Sequence, residues 1–185
     1  VLSMIAGAVL VAGITHDGGL RDGLRRLPER LQSALGCDWS QWGNSLVSAP
    51  AAFVAARGYG LGTSREIALK VTETLRLPAL GYSAAELRHG PRAAITPDTP
   101  VLVLRQNDET ASGVDLLVHD LREANETVFL AGGPECTLPW IGDDHPAFDP
   151  IVMLLPAYKA IEAAARQRGL DPDRPEHLSK ITQTL

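Results

Sequence analysis

Residues 51–91 read AAFVAARGYGLGTSREIALKVTETLRLPALGYSAAELRHGP, and this stretch decides the expected fold. Ala51 to Ala56 is a short apolar run bounded by Pro50 and by Arg57-Gly58, which suits a buried strand. Gly58, Gly60 and Gly62 then lead into Arg65 to Leu77. Apolar residues at Ile67, Leu69, Val71 and Leu75, with a stop at Pro78, mark that segment as a helix. Ala79 to Tyr82 reads as a short strand, and Ala84 to His89 as a short helix ended by Gly90-Pro91. Strand, glycine turn, helix and strand form the repeating unit of a parallel sheet.

The same alternation continues downstream. Val101 to Leu104 is a strand, Ala111 to Ala124 a helix and Thr127 to Ala131 a strand. An irregular, proline-containing stretch over 132–148 precedes the longest helix, Asp149 to Gly169, which opens with Pro150 in a favourable first-turn position. Residues 171–185 form a polar tail carrying Pro172 and Pro175. Upstream, residues 1–35 read as two helices broken at Thr15 to Gly19. The first is apolar and the second amphipathic, with Leu20, Leu24, Leu27, Leu31 and Leu35 in register. Residues 36–50 hold two tryptophans and carry no assignment. The expected class is α/β, a parallel sheet with helices on both faces.

The opening VLSMIAGAVLVAG is apolar for about 13 residues, short of a membrane span, and lacks a basic leader. A buried helix is expected, covered by chain preceding Val1, because a helix apolar nearly all round needs a cover. The 185 residues suffice for one well-buried domain. A net charge of −5 argues against nucleic-acid binding, which needs a concentrated basic surface. The basic clusters Arg21 to Arg30 and Arg166 to Arg168 are interleaved with Asp22, Glu29 and Glu162, so they read as solvated helix faces. Cys37 and Cys136 form neither a disulfide framework nor a zinc site, which makes a reducing, cytoplasmic setting the default. His16, His119, His145 and His177 show no metal spacing, and neither a metal nor a cofactor is expected.

Four features could carry chemistry. The glycines before the helix admit a plain tight turn or a sugar or phosphate contact at a helix N-terminus. Dinucleotide binding is disfavoured, since the full G-x-G-x-x-G is absent and no acidic residue ends the next strand. Glu66, Lys70 and Glu73 are spaced by four and three, which places them on one helix face. Spacing alone reads as a surface ladder. The functional alternative is a carboxylate, Glu73, that moves a proton between C1 and C2 of an open-chain sugar while the lysine keeps it ionised. His89, at a rigid Gly-Pro corner, could serve as acid and base in opening a sugar ring. Lys180, in the polar tail, could bind phosphate or form a Schiff base with a ketose carbonyl.

Taken together, the segments ARGYGLGTSREIALKVTETLRLPALGYSAAELRHGP (56–91) and GLDPDRPEHLSKITQTL (169–185) resemble the tandem sugar-isomerase (SIS) domain family. More narrowly, they are similar to the isomerase half of glucosamine-6-phosphate synthase and its deaminase and isomerase relatives. The first segment is similar to the family's glycine turn, E-x-A-L-K-x-x-E and E-x-x-H-G-P; the second resembles its closing D-x-x-x-P-x-x-L-x-K-x-x-T. The resemblance implies a three-layer α-β-α sandwich around a five-stranded parallel sheet. Residues 1–35 would be linking helices behind a first SIS domain, and residues 36–185 a second SIS domain with an active-site tail. It implies Glu73 as the base, Lys70 as the active-site lysine, and Lys180 as the imine-forming residue. His89 would be the ring-opening residue, contributed across a homodimer. Gly58, Glu66 and Ser179 would contact a phosphosugar, with no membrane or nucleic-acid partner.

One departure stands out. The family holds phosphate with a loop like S-Q-S-G-E-T in the first SIS domain. The counterpart here is Arg105-Gln106-Asn107-Asp108-Glu109-Thr110, which lacks the serines and adds acidic charge. The chain is therefore expected to supply catalytic groups, with the phosphate cradle elsewhere. A non-catalytic sugar-phosphate sensor or dimerisation module is the competing reading; it would have no need of Glu73, His89 and Lys180 together.

Overall fold

A computed structural model describes residues 1–142 and 145–174. Four strands, β1 (Ala52–Ala56), β2 (Ala79–Ser83), β3 (Val101–Leu104) and β4 (Val128–Ala131), form one parallel sheet in the order β2-β1-β3-β4. Ala55 pairs with Tyr82 on one side and with Val103 on the other. Every residue of β1 and β3 is buried, as continuous apolar runs flanked on both sides require.

Alternate residues of the strands divide between two cores, the period of two that a pleated strand dictates. Ala52, Val54, Ala56, Leu102 and Leu104 pack against α3 (Ser40–Ser48), α4 (Gly60–Leu75) and α7 (Asp149–Gln167). Phe53, Ala55, Val101 and Val103 pack on the opposite face, against α5 (Ala84–His89) and α6 (Ala111–Glu123). Sequence pattern placed most of these elements within a residue or two. α3 was not foreseen; it seats Trp42 and Leu46 in the first core, while the indole of Trp39 donates to the Pro139 carbonyl at 2.8 Å.

Two local devices set how α4 lies on the sheet. Gly58 adopts φ +56°, the left-handed region that favours glycine, and α4 begins at Gly60 rather than at Arg65 as expected. Gly81 in β2 lets the α4 backbone approach closely: a Cβ there would stand 2.6 Å from the Arg65 Cα. α5 opens with a reciprocal capping box, Ser83 with Glu86. α7 opens with Pro150 near its N-terminus.

Two expectations change, and the opening helix shows which side this chain covers. Among the described residues the sheet has four strands rather than five. Beyond β4, between Pro134 and Pro139, only an isolated parallel bridge forms, Ala131 to Leu138, because prolines cannot donate to a ladder. Within this chain the opening helix α1 (Leu2–Thr15) is covered on one side only: Ala12 is fully covered, while Leu2, Leu10 and Ile14 are exposed. Val1, Met4, Ile5 and Ala8 pack on the core shared by α7 and α2 (Gly18–Ala34). Arg30, read as part of a solvated basic face, is buried at 7% exposure and donates to the fully buried Asp149 at 2.6 Å. No described helix is long and apolar enough to cross a membrane.

Candidate functional site

α4 turns Ile67, Ala68, Val71 and Leu75 inward and leaves Glu66, Lys70 and Glu73 half-buried on an adjoining face. Lys70 Nζ donates to Glu73 Oε2 at 2.6 Å. That bond raises the Lys70 ammonium above its ordinary range, partly countered by desolvation and assisted by the charges of Glu73 and Glu66. Glu66 is anchored from a distant part of the chain: Tyr158 Oη, on α7, donates to Glu66 Oε1 at 2.7 Å. Burial, then this bond and the charges of Glu66 and Glu73, push the Tyr158 phenol well above its usual value. The result is a line of two carboxylates and an ammonium, with a donating tyrosine at one end. Such a line can accept and return a proton and orient hydroxyl groups.

Tyr158 was not singled out in the sequence. It stands 92 residues from Glu66, and no local spacing links them.

His89 is not part of this cluster within one chain. It is exposed at the end of α5, whose Ala84 and Leu87 pack on the sheet face opposite α4. Arg88 Nε holds α5 to α6 there, donating to Asp120 Oδ2 at 2.8 Å. His89 lines an open depression with Arg88, Arg92 and Glu126. Ser179 and Lys180 lie outside the described residues.

Gly58 is remote from Glu73 as well. The 13 residues of helix between Gly60 and Glu73 span about 20 Å. A Cβ on Gly58 would face Thr110 Cγ2 at 3.1 Å and Asp108 Oδ2 at 3.5 Å. These residues border the crevice at the ends of β1 and β3, where the strand order reverses and where open α/β sheets hold ligands. The crevice is poorly made for phosphate. Asp108 Oδ1 already accepts from the Thr110 backbone N–H at 2.8 Å and its hydroxyl at 2.6 Å, taking donors an anion would use at the start of α6. Gln106, 1% exposed, crowds Gly60 with no hydrogen-bond partner for either side-chain atom among the described residues.

A cavity of about 270 Å³ opens at the ends of β3 and β4, lined by Arg105, Asp115, His119, Arg122 and Glu135 among others. Its arginines are paired, Arg105 with Asp115 at 2.7 Å and Arg122 with Glu135 at 2.8 Å. It contains no residue of α4. Among the described residues, no group of three or more histidine, cysteine, aspartate or glutamate side chains could hold a metal ion.

The SIS domain profile matches residues 45–131. Glutamine–fructose-6-phosphate aminotransferase (isomerizing) of Xylella fastidiosa is 28% identical over 97% of this chain and 30% of its own length. The Streptococcus agalactiae protein of the same name is 33% identical over 73% of this chain and 23% of its own length. The chain thus spans less than a third of these curated relatives. Among solved structures, a candidate phosphosugar isomerase from Silicibacter pomeroyi superposes with a TM-score of 0.84 and 34% identity, over 91% of this chain and 53% of that one. The C-terminal domain of glucosamine-fructose-6-phosphate aminotransferase from Francisella tularensis shares the fold, with a TM-score of 0.73 at 20% identity over 81% of this chain and 45% of that one.

Proposed function

Since the chain belongs to the SIS domain family through residues 45–131, we propose that it supplies the catalytic wall of a phosphosugar isomerase of the glucosamine-6-phosphate synthase and deaminase type. The reaction interconverts amino-sugar or aldose phosphates with ketose phosphates. Glu73 takes the proton from C2 of the open-chain sugar as O1 is protonated, giving the enediol or enolamine, and the same carboxylate returns the proton to C1. The enediol then loses its O2 proton to give the ketose, while the C2 iminium of an amino sugar takes up water and releases ammonia. Lys70 holds Glu73 in place as the anion, and Glu66 accepts a substrate hydroxyl. Lys180 binds the open chain and can form an imine with the carbonyl, with Ser179 beside it. Gly58 serves through the turn that launches α4.

The observation that carries this reading is the Lys70–Glu73 pair at 2.6 Å, on a helix face that also presents an anchored Glu66. Four further elements belong to the proposal. Phosphate is held by another SIS lobe, because Asp108 fills the counterpart loop here. Residues 1–35 link to that lobe and residues 36–185 form the second SIS domain; the exposed apolar side of α1 is the surface such a lobe would cover. His89 reaches the site of a second subunit in a homodimer, since the sheet separates it from Glu73 in its own chain. The setting is cytoplasmic.

The test is formation of fructose 6-phosphate from glucosamine 6-phosphate by the complete natural protein, wild type against Glu73→Gln. Loss of a positioned base lowers turnover by about 10²–10⁴-fold. Wild-type turnover in the variant removes Glu73 as the base.

A further inference from the structure

We infer that Tyr158 is a positioning residue for substrate recognition: its hydroxyl clamps one oxygen of Glu66 so that the other is presented to a hydroxyl of an open-chain phosphosugar. The inference rests on the isomerase reading above for the sugar's identity, and on geometry for the clamp. α7 packs directly against α4, and the Tyr158 ring lies against the core beneath that helix. Its Oη meets Glu66 Oε1 at 2.7 Å, a hydrogen bond to a carboxylate. The opposite oxygen, Oε2, has no partner among the described residues.

The two carboxylates on this face are thereby held differently. Glu73 is gripped by a flexible ammonium on its own helix, one turn away. Glu66 is gripped by a rigid aromatic from another helix. A phenol has two side-chain torsions and loses little freedom when its ring is packed, whereas a lysine has four. The arrangement suits a rigidly fixed acceptor at Glu66 beside a base at Glu73 that Lys70 steadies through a longer side chain. Burial and the bond to Glu66 push the phenol above its ordinary value, which favours the protonated, donating form. α7 also leads, nine residues beyond Tyr158, to its end at Gln167, so the helix that fixes Glu66 is the one from which the C-terminal segment departs.

Tyr158→Phe removes the hydroxyl and keeps the ring. The experiment is a double-mutant cycle on the complete natural protein with Tyr158→Phe, Glu66→Ala and the pair. Its readouts are KM and kcat for glucosamine 6-phosphate, the calorimetric Kd for glucitol 6-phosphate (an open-chain polyol phosphate that cannot isomerise), and the melting temperature. Loss of one hydrogen bond to a charged group weakens Kd and raises KM about tenfold, with kcat within about twofold of wild type. The same change has no effect in the Glu66→Ala background. A merely structural role lowers the melting temperature and shifts Kd equally in both backgrounds, and that result overturns the inference, as does an unchanged Kd in Tyr158→Phe. The isomerase reading fails separately: wild-type protein that binds glucitol 6-phosphate with a non-additive cycle but turns over no sugar refutes the reaction and leaves Tyr158 in place. Wild-type protein that binds no glucitol 6-phosphate refutes both.

Discussion

Mixing two inactive variants should restore about a quarter of the activity, because the sheet stands between Glu73 and His89 in one chain. α4 packs on one face and α5 on the other, held there by Leu87 in the core and by Arg88 on Asp120. Allowing about 10 Å for each packed layer, elements on opposite faces stand roughly 20 Å apart, too far for both side chains to reach one small sugar. A site that needs both must draw His89 from the partner of a symmetric dimer. The perturbation is co-expression of Glu73→Gln with His89→Ala under different affinity tags. Random pairing makes about half of the dimers mixed, and each mixed dimer holds one site with Glu73 and His89 both intact and one with neither. Total activity is then about a quarter of wild type, and tandem-purified mixed dimers show about half. The assay is fructose 6-phosphate formation from glucosamine 6-phosphate. Activity in the purified mixed dimer no higher than the mean of the two parent variants refutes the reasoning, since it places both groups in one chain.

Other consequences concern stability. Asp149→Ala removes the buried carboxylate that Arg30 donates to at 2.6 Å, while the guanidinium keeps its bond to the Ile141 carbonyl at 2.7 Å. Breaking a buried pair costs about 3–5 kcal/mol, or roughly 6–20 °C in melting temperature for a chain of this size. Asp22→Ala at the exposed Arg25–Asp22 pair costs under about 1 kcal/mol, and equal losses in the two variants contradict the assigned burial. Raised values at Lys70, Tyr158 and Cys37 mean that the folded state holds protons the unfolded chain releases. Their contribution is complete below about pH 9 and is lost as pH rises through the folded values. Urea midpoints from pH 8 to 11 should fall, and fall less steeply in Tyr158→Phe; parallel slopes remove Tyr158 as a contributor.

Local pattern exposed the sheet well where strands are buried on both faces. Val101–Leu104 was read to its ends because four consecutive apolar residues between polar stretches have few other readings. Pattern failed where the determinant lies elsewhere. The start of α4 was placed five residues late, since glycines read as a turn although only Gly58 needs a left-handed conformation. The pattern of α1 showed a helix but not what covers it. The fifth strand came from resemblance, and the prolines at 134 and 139 reduce it to one bridge. For the site, helical spacing put Glu66, Lys70 and Glu73 on one face, as found. Spacing could not separate a surface ladder from an active-site wall. It could not show the Tyr158 bond to Glu66 either, which only tertiary packing makes. Nor could spacing show that His89 lies across the sheet.

The central claim is that Glu73 carries a proton between two carbons of the sugar. Running the complete natural protein in D₂O with glucosamine 6-phosphate and following the product by NMR tests it directly. A single exchangeable base puts solvent deuterium at C1 of fructose 6-phosphate, and Glu73→Gln lowers the rate of that labelling by about 10²-fold or more. Labelling by Glu73→Gln at the wild-type rate contradicts the claim and assigns the proton to another group.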